Sequence, residues 1–333
     1  MKKLRGSLTI DQTPFLTKFF FNMKRIFFIL LMISNTIFAQ SNYSIDTSYT
    51  IKSTYNKLIK KYPFISIPEE KSNAAISEIR EVIYQQHKDR ALHFDAFFNT
   101  KQKVNPAVIM IHGGGWRSGN KNQMQDMARE IASKGYSCFA IEYRLSLEAK
   151  YPDGVIDVKN AIKYIKDNAK KFNVDPNKIA VLGCSSGGQM AALIGTTNDI
   201  LDFEDKSFKS KSSSKVQGII DIDGVLAFKH PESSEGDMAS FWLGGKYDEK
   251  PENWNNASAL NHTNKGSPPI LFINSSFARF HAGRDDMIAI LNQYKIYNEV
   301  HTIENSPHSF WFFDPWFTET VVYTTQFLDK IFK

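Results

Sequence analysis

The chain has 333 residues, 42% hydrophobic and 13% aromatic, which is ample for one large core of the size that α/β folds reach as single domains. The formal charge is +6, but six basic residues and Asp11 within positions 1–39 carry +5 of it, leaving a near-neutral +1 on the rest. A body with that balance lacks the electrostatic footprint of a nucleic-acid binder.

Residues 1–39 read as an N-terminal extension and export signal. Lys24 and Arg25 form a basic start, Ile26 to Ile33 an apolar run, and Ser34 to Ala39 a small or polar end, with cleavage expected after Ala39. The apolar run is short against the roughly 20 residues of a membrane span, so no stable anchor is expected, and the protein should be periplasmic or extracellular. Met23 is an alternative start to Met1. Residues 40–74, polar with scattered aromatics, Pro63 and Pro68, are expected to form an irregular N-terminal arm.

Residues 75–333 alternate strand and helix patterns. Ile76 to Tyr84 and Leu92 to Phe98 alternate as outer strands. Ala107 to Ile111 is a buried strand running into His112-Gly113-Gly114-Gly115-Trp116, and Asn122 to Ser133 has helical spacing ended by Gly135. A strand over Ser137 to Tyr143 and a helix over Asp153 to Asn168 follow. The central stretch is Lys178 to Met190: the apolar strand Ile179 to Leu182, then Gly183, Ser185 and Gly187 in the spacing G-x-S-x-G, then a helix from Gln189. That spacing suits a serine on a sharp strand-to-helix turn, where its hydroxyl is presented above the sheet and the next amide, Ser186, points into the same space.

Asp202 to Lys215 is a Lys/Ser-rich surface loop, Val216 to Ile222 a strand ending at Asp223, and Leu226 to Leu260 an inserted region over one end of the sheet. A strand (Ile270 to Asn274), a helix (Asp286 to Ile296), a last strand (Glu299 to Ile303), the loop holding His308 and a closing helix (Phe317 to Phe332) complete the chain. Alternating strands and helices imply parallel βαβ units, hence a mostly parallel sheet with helices on both faces. Cys138 and Cys184 fall at opposite ends of their strands and are expected as free thiols, Cys184 as a small buried filler.

At this point the sequence resembles the α/β-hydrolase superfamily. His112 to Trp116 is similar to the H-G-G-G-W motif of hormone-sensitive-lipase-like esterases, and Asp175 to Gly188 (D-P-N-K-I-A-V-L-G-C-S-S-G-G) resembles carbohydrate esterases of the acetylxylan- and pectin-acetylesterase kind. The resemblance implies an α/β-hydrolase fold over about residues 75–333. It also implies Ser185 as nucleophile and His308, in the loop after the last strand, as base. Gly113, Gly114 and Ser186 become the oxyanion donors, since glycines let backbone N–H groups approach a developing negative charge. His112 is expected to brace that loop by a hydrogen bond. The family usually places its acid just beyond the strand at 270–274, where this chain has Ser275, Ser276, Phe277 and Ala278. Asp223, at the end of the preceding strand, is the favoured substitute and Asp285 the alternative, although Asp285 also suits a helix N-terminus. A dyad with no acid is the third option. Among the aromatic residues around the motifs, Trp116 and Trp311 are the candidates for substrate contact, with core packing expected for most of the run 310–313.

These features imply an exported serine esterase that hydrolyses short acyl, chiefly acetyl, esters on polysaccharide through an acyl-enzyme, with no metal and no cofactor. Two alternatives remain: a carboxylesterase or lipase acting on small or lipid esters, and a non-catalytic binding protein on a hydrolase scaffold. The oligomeric state is open.

Overall fold

Strands that are apolar at nearly every position need cover on both faces of their sheet. The computed structural model, which describes residue 46 and residues 48–69, 75–88, 90–234 and 236–333, supplies it. The described residues all fall in the unit Tyr43–Lys333; the export segment expected at 24–39 lies outside them.

The strands are β1 (Ile76–Gln86), β2 (Ala91–Asn99), β3 (Asn105–Ile111), β4 (Ser137–Ile141), β5 (Val174–Cys184), β6 (Gly218–Ile222), β7 (Ile270–Ser275) and β8 (Asn298–Ile303). They form one sheet in the order β1-β2-β4-β3-β5-β6-β7-β8, antiparallel from β1 through β2 to β4 and parallel elsewhere. The alternation along β3 shows how the core divides: Ala107, Ile109 and Ile111 join one apolar cluster, Val108 and Met110 the other. With eight strands, a mostly parallel sheet and helices on both faces, this is the α/β-hydrolase fold.

The first cluster is covered by α3 (Asp153–Asp167), α4 (Ser186–Thr196), α7 (Arg284–Gln293) and the inserted region, which contributes the short helices α5 (Asp237–Leu243) and α6 (Pro251–Asn256). The second is covered by α2 (Gln125–Ser133) and α8 (Trp316–Phe332). Cys138 and Cys184 lie in it as buried free thiols, and burial pushes both thiol pKa values up, so neither is a thiolate.

The arm differs from expectation. Residues Ile51–Leu58 form a helix, α1, whose start is fixed by a capping box: Thr50 Oγ1 accepts from the Ser53 amide and Ser53 Oγ accepts from the Thr50 amide, both at 3.0 Å. Ile51, Tyr55 and Leu58, spaced for one helical face, pack on the second cluster. Tyr49 and Tyr55 meet Phe312 and Phe313 at ring-centroid distances of 5.9 and 6.0 Å. The arm therefore lies on the aromatic segment that follows His308.

Candidate active site

The sharp turn after β5 is built from steric necessity. Ser185 has φ +56° and ψ −122°, a conformation that residues with side chains rarely adopt. A Cβ at Gly183 would lie 1.9 Å from the Gly187 carbonyl oxygen, and one at Gly187 would lie 2.3 Å from that of Ile111. Helix α4 consequently starts at Ser186, three residues before the expected Gln189, with Gly187 and Gly188 in its first turn despite their poor helix propensity. The first amides of a helix have no intrahelical acceptor, so the Ser186 N–H, next in sequence to the nucleophile position and in the cavity wall, has none within the helix.

Ser185 Oγ lies 2.9 Å from His308 Nε2, and His308 Nδ1 lies 2.8 Å from Asp223 Oδ2. Asp223 immediately follows β6, also with positive φ (+53°), and is only 1% exposed. Its Oδ1 accepts from the Ser275 amide at 2.8 Å, which leaves Oδ2 for the imidazole. The ring of Phe280 stacks on His308 with centroids 3.5 Å apart and planes 9° apart. Phe280 comes from the turn after β7, in which the sequence holds no carboxylate between Ser275 and Ala278. Asp285 is not near this relay: it sits in the first turn of α7, is 73% exposed and pairs with Arg284, whose guanidinium holds its carboxyl below the usual range.

Across the cavity from β3 comes the glycine loop. Gly114 has φ +127°, and a Cβ there would lie 2.1 Å from the Ser118 carbonyl oxygen. Its own carbonyl accepts from the Ser118 amide and hydroxyl, both at 3.0 Å, which turns the peptide so that carbonyls point away from the site. His112 Nδ1 lies 2.9 Å from the Gly113 carbonyl oxygen, and its ring stacks on Tyr143 with centroids 4.6 Å apart. Burial lowers the His112 pKa to about 4, so the ring is neutral and donates from Nδ1. Gly114 and Ser186 line the cavity, as does Gly115; Gly113 instead packs behind the serine, where a Cβ would lie 2.8 Å from the Cys184 carbonyl oxygen.

The cavity has a volume of about 420 Å³. Its walls include Tyr49 and Lys57 from the arm, Phe228, Met238 and Ala239 from the inserted region, and Arg279 and Phe280 from the turn after β7. Sequence reasoning missed the arm as part of this wall, since nothing local to the catalytic motifs signals it. The two aromatic candidates need correction. Trp311 is 1% exposed and does not line the cavity; it packs edge-to-face on His308 at 5.1 Å, in the second core cluster under the arm. Trp116 does line the cavity, but one face of its indole is covered by Trp242 at 4.7 Å and 6°, and its Nε1 donates to Gln189 Oε1 at 3.0 Å. It braces the wall by tying the glycine loop to α4 and α5, and one of its two faces is taken up by Trp242.

The BD-FAE family matches residues 94–292, well over half of the chain. The chain belongs to the BD-FAE family. That match spans the glycine loop, the serine turn and Asp223, and ends before His308. Esterase LipC of Mycobacterium tuberculosis is 28% identical over 203 residues, covering 59% of this chain and 50% of that protein. An arylesterase of Saccharolobus solfataricus is 31% identical over 144 residues, 43% of this chain and 44% of that one. The chain thus spans about half the length, or less, of these curated relatives. Among solved structures, a truncated carbohydrate esterase from gut microbiota superimposes with a TM-score of 0.68 at 22% identity, covering 80% of this chain and 99% of that one. Thermogutta terrifontis esterase 2 phosphoramylated by tabun gives 0.65 at 22%, covering 79% and 97%. At such identities this BD-FAE chain shares their fold.

Proposed function

We propose that the chain is a serine carboxylic-ester hydrolase, exported from the cell, that removes short acyl groups, acetyl foremost, from polysaccharide. The observation that carries the reading is the continuous hydrogen-bonded path Ser185–His308–Asp223 opening into a cavity beside the Gly114 and Ser186 amides.

Ser185 Oγ attacks the ester carbonyl carbon while its proton passes to His308 Nε2. Asp223 holds the imidazole with Nδ1 protonated and stabilises the imidazolium. The oxyanion is met by the Gly114 and Ser186 amides at the start of α4. Nε2–H then protonates the departing alcohol, and water, deprotonated by the same nitrogen, releases the acid and restores Ser185. Curated relatives named esterases and a fold neighbour titled a carbohydrate esterase support ester chemistry and a saccharide substrate. The basic-apolar-small pattern from Lys24 to Ala39 supports export.

Acetate release from a panel of acetylated polysaccharides, run beside short- and long-chain chromogenic esters, tests the substrate. Ser185→Ala should abolish turnover in a folded protein, and N-terminal sequencing of the exported form should begin near Gln40. Activity confined to chromogenic esters would favour the second reading, a small-ester carboxylesterase, which the apolar wall of Val225, Phe228 and Met238 also accommodates.

A further inference from the structure

Among the described residues, the unpaired charge lining the cavity is positive. Lys57, on α1, and Arg279, in the turn after β7, both line it, and neither has a carboxylate partner among the described residues. The one carboxylate in the lining among the described residues, Asp223, is buried and fully engaged by the Ser275 amide and His308. The Tyr49 hydroxyl is paired with Ser309 Oγ at 2.8 Å, and burial raises its pKa, so it brings no negative charge.

Arg279 is also placed. Its guanidinium carbon lies 4.3 Å from the centroid of Phe280, whose ring stacks on His308. Packing against an aromatic face holds a guanidinium while leaving its N–H edge free to form a two-pronged contact with a carboxylate. The turn after β7, which carries no catalytic carboxylate here, thus delivers a cation to the wall of the cavity that Ser185 also lines.

We propose that this cavity selects esters that carry a carboxylate, anchored by Arg279 with Lys57 as a second, longer-range cation. The inference rests on the ester-hydrolase reading and specifies its substrate class. The carboxylate is borne either by the alcohol, as in an acylated sugar acid, or by the acyl group, as in a half-ester of a dicarboxylic acid. Both present the same anion to the same two side chains.

The test compares kcat/KM for charged and neutral partners of matched shape, using the full chain. For the alcohol side the pair is 4-acetoxybenzoate and its methyl ester; for the acyl side it is the 4-nitrophenyl monoester of glutaric acid and 4-nitrophenyl pentanoate. In at least one pair, the charged-to-neutral ratio should fall about tenfold in Arg279→Gln, as expected for losing a charge-assisted hydrogen bond. Arg279→Lys should retain part of that ratio, Lys57→Gln should lower it by about threefold, and raising the salt concentration should lower it in the wild type. Ratios unchanged in both pairs by both glutamine variants overturn the proposal. Failure of the wild type to cleave any of the four esters would instead overturn the hydrolase reading. The anion preference is then read without turnover, from calorimetric binding of 4-hydroxybenzoate and its methyl ester to Ser185→Ala. Equal affinity for the two overturns the proposal in that case.

Discussion

Replacing Asp223 by Asn changes no more than a few atoms, yet the geometry makes it severe. Asp223 accepts two hydrogen bonds, from the Ser275 amide to Oδ1 and from His308 Nδ1 to Oδ2. In the Asp223→Asn protein the side-chain amide oxygen keeps the Ser275 contact, because a backbone N–H can only donate. The NH2 group must therefore face His308, and it too can only donate. The imidazole is driven to the tautomer with Nδ1 bare and Nε2 protonated, so the nitrogen 2.9 Å from Ser185 Oγ no longer accepts a proton. The imidazolium also loses its counter-charge. Loss of such an acid costs about four orders of magnitude in kcat, or roughly 5 kcal/mol of transition-state stabilisation. The assay is kcat on a short acetate ester, with circular dichroism and thermal melting to establish that the variant is folded. Asp285→Asn is the control and should stay within a few fold of wild type, since its carboxylate is exposed and serves Arg284. A folded Asp223→Asn protein losing less than tenfold, or a larger loss from Asp285→Asn, would refute the reasoning.

Asp221, two residues earlier, should behave differently. Burial, and then the neighbouring Asp223 charge, push its carboxyl well above the usual 3.8, so its folded form is the neutral acid. A folded-state pKa raised in this way gives a contribution complete below pH 3.8 and lost as pH rises towards the folded value. The stability of wild type relative to Asp221→Asn should therefore fall by about 1.4 kcal/mol per pH unit over that window, and a pH-independent difference in urea unfolding would contradict it. Gly183→Ala places a methyl 1.9 Å from the Gly187 carbonyl oxygen and should cost about 3 kcal/mol or more, seen as a lowered melting temperature; unchanged stability would mean that the turn can relax. Trp311→Ala should lose about 3–5 kcal/mol of stability with KM for a small ester little altered; a large KM increase in a stable protein would return Trp311 to the substrate wall.

What was legible depended on how local the signal was. The apolar runs of β3 and β5 and the glycines around Ser185 are dictated by neighbours in sequence, and they stand where the sequence indicated. The acid was harder. Asp221 and Asp223 share one parity in D-I-D-G, so alternation alone does not separate them. The distinction arises where β6 stops at Ile222 and Asp223 turns out of the sheet with positive φ. The two tryptophans were illegible for another reason. An aromatic residue beside a motif suits a wall or a core equally, and the choice is made by segments distant in sequence: Trp242 of α5 for Trp116, and for Trp311 the arm and α8. Helix α1 itself escaped because eight residues hold too few turns to establish a period.

The three members of the relay are not mounted alike. The Ser185 amide donates to the Ile222 carbonyl oxygen at 2.8 Å, and the Asp223 amide donates to that of Ile273 at 3.0 Å. Nucleophile and acid are thus tied by main-chain bonds to the ends of β6 and β7 respectively and move as one body with the sheet. His308 alone arrives on a loop, held at its neighbour Ser309 by Tyr49 of the arm. The relay has a single joint. Thermal fluctuation at that joint, on the timescales at which loops move, sets how often the proton path is closed, and warming should open it well before the sheet melts. On the proposed reading, the temperature at which catalysis fades reports how firmly the arm and the Phe280 and Trp311 rings hold one loop, more than the stability of the fold.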